Sequence, residues 1–430
     1  MPGPISFQDA LAVWWRIGLL SFGGPAGQIA LMHRILVEEK RWIDETRFLH
    51  ALNYCMVLPG PEAQQLATYI GWLLHGVRGG LVAGLLFILP GACAILALSW
   101  LYVLLGDLQL VEGLFFGMKA AVLAIVVQAL LRIAARALRG PLQGALAVAG
   151  FVALFAFALP FPLVVLGAGV LGYLAARLRQ HAHPAVEALP APERRPGTGQ
   201  AALVCLLLWL GTVLGLHLLL GPQSVFTQLA DFFSRMAVVT FGGAYAVLSY
   251  VAQQGVEQYQ WLQPGEMLDG LGLAETTPGP LILVTQFVGF LAAWREGGAE
   301  PSLLAATVGA LLTTWVTFLP CFLWIFAGAP YVERLRSQTA LSAALAAITA
   351  VVVGVIANLA LWFALNLLFR ETMQIASFGL DMQLPVLASV NLPELGLSAI
   401  AFALLFVLRL GMLPMLGVCA LLGMTWTLLL

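Results

Sequence analysis

Arg16-Ile17-Gly18-Leu19-Leu20-Ser21-Phe22-Gly23-Gly24 returns 219 residues later as Arg235-Met236-Ala237-Val238-Val239-Thr240-Phe241-Gly242-Gly243. The register then holds without a gap as far as Pro61 and Pro280. Across these 46 positions 12 are identical: the arginine and Phe-Gly-Gly just quoted, Val37/Val256, Glu38/Glu257, Trp42/Trp261, Leu49/Leu268, Leu52/Leu271, Pro59/Pro278, Gly60/Gly279 and Pro61/Pro280. Most are helix breakers, an arginine or a tryptophan, not the aliphatic residues that any two apolar segments share. A duplicated apolar chain with duplicated breakers is the pattern of a membrane transporter.

Composition agrees. The chain has 430 residues, 61% hydrophobic and only 10% charged, against about 25% charged in a soluble domain. Windows of about 20 apolar residues, enough to cross a hydrocarbon core, recur throughout. They fall near residues 10–31, 52–74, 81–105, 113–131, 142–159 and 161–177 in the first half. The second half has 201–220, 226–251, 268–294, 303–327, 340–369 (long enough for two pieces) and 398–430. The expected fold is an all-α polytopic membrane protein, and the first apolar stretch, interrupted by Trp14, Trp15 and Arg16, is not a cleaved signal. The net charge of -1 says nothing about partners. Cys55, Cys93, Cys205, Cys321 and Cys419 lie singly in apolar segments and read as small hydrophobes. The six histidines lack ligand spacing, so neither a metal nor a cofactor is expected, and no nucleic acid.

Residues 181–200 form a Pro- and Arg-rich linker between a first membrane repeat, 1–180, and a second, 201–430. Arg177, Arg179, Arg194 and Arg195 put that linker on the cytoplasmic side. The loop 33–50 carries Arg34, Lys40, Arg41 and Arg47, whereas its equivalent, 252–269, has no lysine or arginine. Equivalent loops are therefore expected on opposite faces, as two inverted-topology repeats. The segment count then requires one broken or re-entrant helix in each half, and the segments holding the breakers are the natural ones.

Phe22-Gly23-Gly24-Pro25 and Phe241-Gly242-Gly243 each lie inside an apolar stretch. Two adjacent glycines cost roughly 2 kcal/mol within a helix, and proline suits the first turn of a new one. Each site thus predicts a half-helix, a short joint and a second half-helix whose free N–H groups and positive dipole end point into the protein. Pro59-Gly60-Pro61 and Pro278-Gly279-Pro280 predict a second joint in each half. Four such N-termini near a pseudo-two-fold axis would favour an anion. The bland alternative is that the glycines permit close packing and the prolines only kink.

Polar residues beside the joints are candidate ligands: Ser21 and Thr240, Gln64 and Gln65, Thr276 and Thr277. They serve equally well to satisfy backbone freed by the breaks. Arg16 and Arg235 stand six residues before their Phe-Gly-Gly, about 9 Å along a helix, and either face the site or snorkel to the interface. Lys119 is a third buried-cation candidate. Glu62, in the first turn after Pro61, and Glu275 would repel a dianion unless protonated, and are the proton-coupling candidates.

The stretches Gly18-Leu19-Leu20-Ser21-Phe22-Gly23-Gly24-Pro25-Ala26-Gly27-Gln28 and Leu58-Pro59-Gly60-Pro61-Glu62-Ala63-Gln64-Gln65-Leu66-Ala67 resemble the chromate ion transporter family. The second-half Phe-Gly-Gly and Thr-Pro-Gly-Pro resemble that family's C-terminal domain, so the resemblance spans nearly the whole chain. It implies chromate efflux across a bacterial inner membrane and chromate resistance, with sulfate as the isosteric dianion, and leaves a homodimer open. Ala244 stands where the family pattern has proline after the first Gly-Gly, so the two half-sites are not equivalent.

With no phosphate-binding Gly-x-x-x-x-Gly-Lys loop, transport is expected to be secondary active, driven by an ion gradient or exchange. The competing readings are an exchanger for sulfate or another oxyanion, a passive anion channel, and a thiol-based membrane reductase. Scattered single cysteines argue against the last. No enzyme activity is expected.

Overall fold

In the computed structural model the described residues are 5–178, 196–241, 243–298, 300–329, 339–377 and 379–429. Most of the expected linker, residues 181–195, and Gly242 lie outside them. Within them the chain is helical apart from one hairpin: α1 (Phe7–Leu20), α2 (Gly24–His33), α3 (Glu45–Cys55), α4 (Glu62–Leu105), α5 (Gln109–Ala137), α6 (Pro141–Phe155), α7 (Phe161–Leu178), α8 (Thr198–Leu220), α9 (Val225–Val239), α10 (Ala244–Gln253), α11 (Pro264–Thr276), α12 (Val284–Glu296), α13 (Leu303–Gly328), α14 (Thr339–Leu368), β1 (Thr372–Ser377), β2 (Leu380–Pro385), α15 (Leu392–Phe402) and α16 (Met412–Leu429). Seven of these helices are long and apolar enough to cross a membrane. Leu163, Leu171, Leu207 and Leu214 stand exposed on α7 and α8, where lipid replaces a protein neighbour. This is an all-α polytopic membrane protein.

Two compact units interleave the sequence halves. The first comprises Met1–Ser99, Ala182–Ala244 and Thr277–Thr339; the second Trp100–His181, Tyr245–Thr276 and Ala340–Leu430.

In the first unit α4 folds back on itself. His75 (φ -132°, ψ 23°) and Gly76 (φ 65°, ψ -153°) leave helical geometry. The two arms then pack closely, with Gly71 against Gly79 and Ala83, and Gly84 against Thr68. Only glycine lets two helix backbones approach so nearly. The pair α12 and α13 repeats the device, with Gly289 against Gly309 and Gly297 against Ala305.

In the second unit α5 receives α16 through Gly113 and Gly423, and through Gly117 against Cys419. It receives α11 through Gly272 against Met118. The long α14 takes α6 through Gly354 against Ala147, and α7 through Gly172 against Ala344. The hairpin β1–β2 turns at Gly379 (φ 82°) and is tied down by Asp381 N donating to Ala156 O at 2.8 Å.

The repeat is legible in the backbone. A π-turn over Arg34–Glu39 closes with Lys40 N on Ile35 O at 2.9 Å, and Arg41 follows at φ 54°. Its equivalent over Gln254–Gln258 closes with Tyr259 N on Gln254 O at 2.8 Å, with Gln260 at φ 55°. A positive φ is rare outside glycine, so its recurrence in register is not a coincidence of composition. A second pair lies further on. Ala158 (φ 48°) lies just inside the turn closed by Leu159 N on Ala153 O at 3.0 Å, and Arg409 (φ 54°) matches it inside the turn closed by Leu410 N on Leu404 O at 2.9 Å.

Three expectations need correction. The apolar run 398–430 is two helices, α15 and α16, parted at Arg409, whose left-handed backbone cannot continue a helix. The run 340–369 is one helix, α14. Helix α8 already begins at Thr198, inside the expected linker, and the β-hairpin was not anticipated.

Replacing Gly71 by leucine places side-chain atoms on the Gly79 carbonyl and Ala83 Cβ. Overpacking of this kind costs about 1–3 kcal/mol. A clear fall in the detergent melting temperature of Gly71→Leu is expected, with none for Gly211→Ala, where an added Cβ meets open space.

Candidate functional site

Both Phe-Gly-Gly segments interrupt a helix. Helix α1 ends at Leu20, Ser21 turns to ψ 65°, Gly23 and Gly24 take φ 86° and 69°, and α2 restarts with Pro25 in its first turn. In the second repeat α9 ends at Val239, Thr240 turns to ψ 82°, Gly243 has φ 99° and α10 restarts at Ala244. The local bonding is the same. Ser21 Oγ donates to Ile17 O and Thr240 Oγ1 to Met236 O, each at 2.6 Å. Phe22 N reaches Leu20 O at 2.9 Å and Phe241 N reaches Val239 O at 3.0 Å. A Cβ added at Gly23, Gly24 or Gly243 would meet nothing within 4 Å. Glycine is there for its left-handed φ, not for space.

The Pro-Gly-Pro segments form the second breaks, with Gly60 at φ 125° and Gly279 at φ 98°. Each glycine N–H donates to the other repeat's first break: Gly60 N to Thr240 O and Gly279 N to Ser21 O, both at 2.8 Å. The two bonds are mates at the 219-residue offset. Each break also backs onto a proline-bearing helix of the opposite half, Gly60 beside Cys321 after Pro320 and Pro278 beside Gly91 after Pro90. That second duplication, Leu89-Pro90-Gly91 and Leu319-Pro320-Cys321, escaped the sequence reading because it lies outside the gapless register. An interior proline in an apolar helix was the signal.

Side chains break the symmetry. Gln28 Nε2 donates to Gly279 O at 2.6 Å and to Ser21 O at 3.3 Å, whereas buried Val247 holds its equivalent position. Gln65 Nε2 donates to Pro59 O at 2.7 Å and Gln64 Nε2 to Thr68 Oγ1 at 3.0 Å. The Oε1 atoms of Gln28, Gln64 and Gln65 are buried without a partner. A buried polar atom left unmatched costs about 1–3 kcal/mol, so three of them at one set of breaks make these breaks the candidate site. Gln28, which binds across the breaks, was not among the candidates read from the sequence.

The basic candidates lie away from the breaks, the acidic ones beside them. Arg16 is half exposed and pairs with Glu39 at 2.9 Å, and Arg235 is exposed with Nε on Asp231 O at 3.2 Å. Glu62 occupies the first turn of α4, as its dipole favours. Pro61, Gln64 and Thr277 are buried. In the second unit, buried Glu275 accepts from Tyr245 Oη, and Thr276 Oγ1 returns to Leu273 O at 2.9 Å. Lys119 does not stand free: its Nζ lies 3.4 Å from Asp269 Oδ2, which also accepts from Tyr102 Oη at 3.0 Å.

Comparison with known proteins places the chain. Residues 8–173 and 227–424 match the family described as Chromate transporter. A chromate transport protein of Pseudomonas aeruginosa is 34% identical over 359 residues, 83% of this chain and 80% of that protein. A chromate transport protein of Cupriavidus metallidurans is 28% identical over 361 residues, 82% of this chain and 81% of that one. An uncharacterized transporter of Methanocaldococcus jannaschii is 24% identical over 352 residues, covering 81% and 82%. No solved structure matches. The chain belongs to the chromate transporter family, a family of transporters and not of enzymes.

Gln28→Leu strands the Gly279 carbonyl in the interior. A loss of about 1–3 kcal/mol is expected, read as a lowered melting temperature in detergent. Val247→Leu, at the position where the repeat already has an aliphatic side chain, should cost less.

Proposed function

We propose that this protein carries chromate out across a bacterial inner membrane by alternating access, driven by an ion gradient, and so confers chromate resistance. The observation that carries the reading is the reciprocal pairing of the four helix breaks. Broken helices held together at a repeat interface are where transporters of this construction bind substrate. Glycine-opened helix starts supply backbone N–H groups and a positive dipole end to a dianion. The identity of the anion rests on the chromate transport proteins to which the chain is similar. Sulfate, the isosteric dianion, is expected to compete.

The reciprocal bonds also support inversion. Two copies that each donate to the other from the same residue are related by a two-fold rotation. Basic residues in the loop 33–50 and their absence from 252–269 support an axis lying in the membrane plane. We assign the anion to the breaks, lined by Phe22–Pro25, Pro59–Pro61, Phe241–Gly243 and Pro278–Pro280 with Gln64, Gln65, Thr240 and Thr277. Arg16 and Arg235, exposed one to two turns before the breaks, act as attracting charge more than as ligands. Glu62 and Glu275 are the acids beside the breaks and the first residues through which a proton would be felt there.

Two measurements test this. Lys40→Cys and Gln258→Cys, exposed in equivalent turns, should be labelled by an impermeant maleimide from opposite faces of the membrane; labelling from one face removes the inverted arrangement. In proteoliposomes, radiolabelled chromate should accumulate against its gradient when a pH gradient is imposed, and excess sulfate should slow it. Flux that only dissipates the chromate gradient would indicate a channel.

A further inference from the structure

Tyr102 at the end of α4, Lys119 on α5 and Asp269 on α11 meet inside the second unit, and buried Glu394 lies on α15, a helix that packs against α5. Lys119 Nζ is 3.4 Å from Asp269 Oδ2, and Tyr102 Oη donates to the same oxygen at 3.0 Å. The charges acting on Glu394 are Lys119 and Asp269. Asp269 and Glu394 are each 3–4% exposed, and Ser398, one turn beyond Glu394, is 4% exposed. Their outer atoms, Asp269 Oδ1, Glu394 Oε2 and Ser398 Oγ, have no hydrogen-bond partner. Glu266, on α11 itself, is the other acid acting on Asp269. Helix α16 also packs on α5 but carries no acid or base, and its Cys419 lies against Gly117.

The charge count is the anomaly. One ammonium, a quarter exposed, is set among two buried carboxylates, so with every group ionised the cluster holds an uncompensated negative charge. Burying an unpaired charge is among the most costly arrangements available to a protein, and within a membrane such groups mark ion or proton pathways. A bound cation does not fit well. The ammonium already fills the place beside Asp269, and among the described residues no three acidic, histidine or cysteine side chains are grouped to hold a metal. An anion meets more negative than positive charge. A single proton held on either carboxylate makes the cluster neutral, and it turns one unpartnered oxygen into a donor.

We propose that Asp269 and Glu394, set against Lys119 and Tyr102, form a proton-binding site that takes up and releases one proton per transport cycle. The proposal rests on the gradient-driven reading above. The repeat places His50 where Asp269 stands, so this site is present once, not twice. Helix α11 carries Asp269 six residues, about 9 Å along its axis, before Glu275. Glu275 is itself bonded to Tyr245 and acted on by Arg132 of α5. One helix therefore presents two buried acids, each with a tyrosine donor and a cation from α5.

The test is chromate uptake into proteoliposomes against an imposed pH gradient, using wild type, Glu394→Gln and Glu394→Asp, each checked by gel filtration. Glu394→Gln is expected to lose the pH stimulation by at least about tenfold, the effect of roughly one unit of proton affinity, and Glu394→Asp to restore part of it. A pH profile unchanged in Glu394→Gln, or a loss of equal size at every pH, overturns the proposal, since a purely structural ion pair would behave so. Wild-type uptake indifferent to the gradient would instead overturn the gradient-driven reading. Should Glu394→Gln fail to fold, dicyclohexylcarbodiimide labelling of the native protein decides. Modification of Glu394 or Asp269 that declines as pH rises supports the site, and pH-independent labelling or none overturns it.

Discussion

A helix that stops within a membrane protein leaves N–H and C=O groups that need partners, and this chain stops four helices at its two pairs of breaks. The cost of such groups is several kcal/mol each if unmatched. The solution is mutual. Gly60 N binds Thr240 O and Gly279 N binds Ser21 O, so each repeat's second break satisfies the other repeat's first. Neither half contains the partner its own break requires. The duplication therefore works as structure only when both copies are present, and the proline-bearing arms of α4 and α13 make the same exchange.

The backbone obeys the repeat more closely than the side chains do. Left-handed residues recur in register at Arg41 and Gln260, and a second such pair, Ala158 and Arg409, lies beyond the gapless register. Chemistry-bearing positions do not recur: Gln28 faces Val247, Glu62 faces Leu281, His50 faces Asp269 and Met56 faces Glu275 in the alignment. Alternating access, as proposed above, needs two conformations of similar energy, which a symmetric scaffold favours. Unequal side chains on that scaffold allow one bound species to be treated differently in the two, and coupling requires such a difference.

What the sequence made legible follows from what a breaker is. Gly-Gly and Pro-Gly-Pro in an apolar run have few local solutions, so the interrupted helices and the pairing of copies could be read from residues alone. The short reversal at His75–Gly76 left a gap between two apolar windows and was readable for the same reason. By contrast, Arg409 ends a helix through a backbone conformation that its side chain does not advertise, and 398–430 read as one span. Insertions shifted the register beyond Pro61, which hid the pairing of Pro90 with Pro320. Lys119 was visible as a cation in an apolar run, but its partner was not. Asp269 sits at the start of an apolar segment, where an acid looks like a boundary, and only the packing of α11 on α5 brings the two together.

The two kinds of polar group are also separated along the chain. The amides at the breaks, Gln28, Gln64 and Gln65, belong to the first compact unit, and they are uncharged hydrogen-bonding groups suited to an anion alongside helix N-termini. The titratable groups Lys119, Asp269, Glu394, Tyr245 and Glu275 belong to the second. The chain passes from first to second at Ala244–Tyr245 and back at Thr276–Thr277. Both crossings fall at breaks of the second repeat, so α10 and α11 are bracketed by non-helical joints. Such joints are where a packed structure absorbs large changes of φ and ψ without disturbing the helices beyond them. Glu275 stands two residues before Thr277 and three before Pro278, whose glycine neighbour holds Ser21. Two residues of chain therefore separate the last acid of α11 from the Pro-Gly-Pro segment whose glycine N–H bonds Ser21 O.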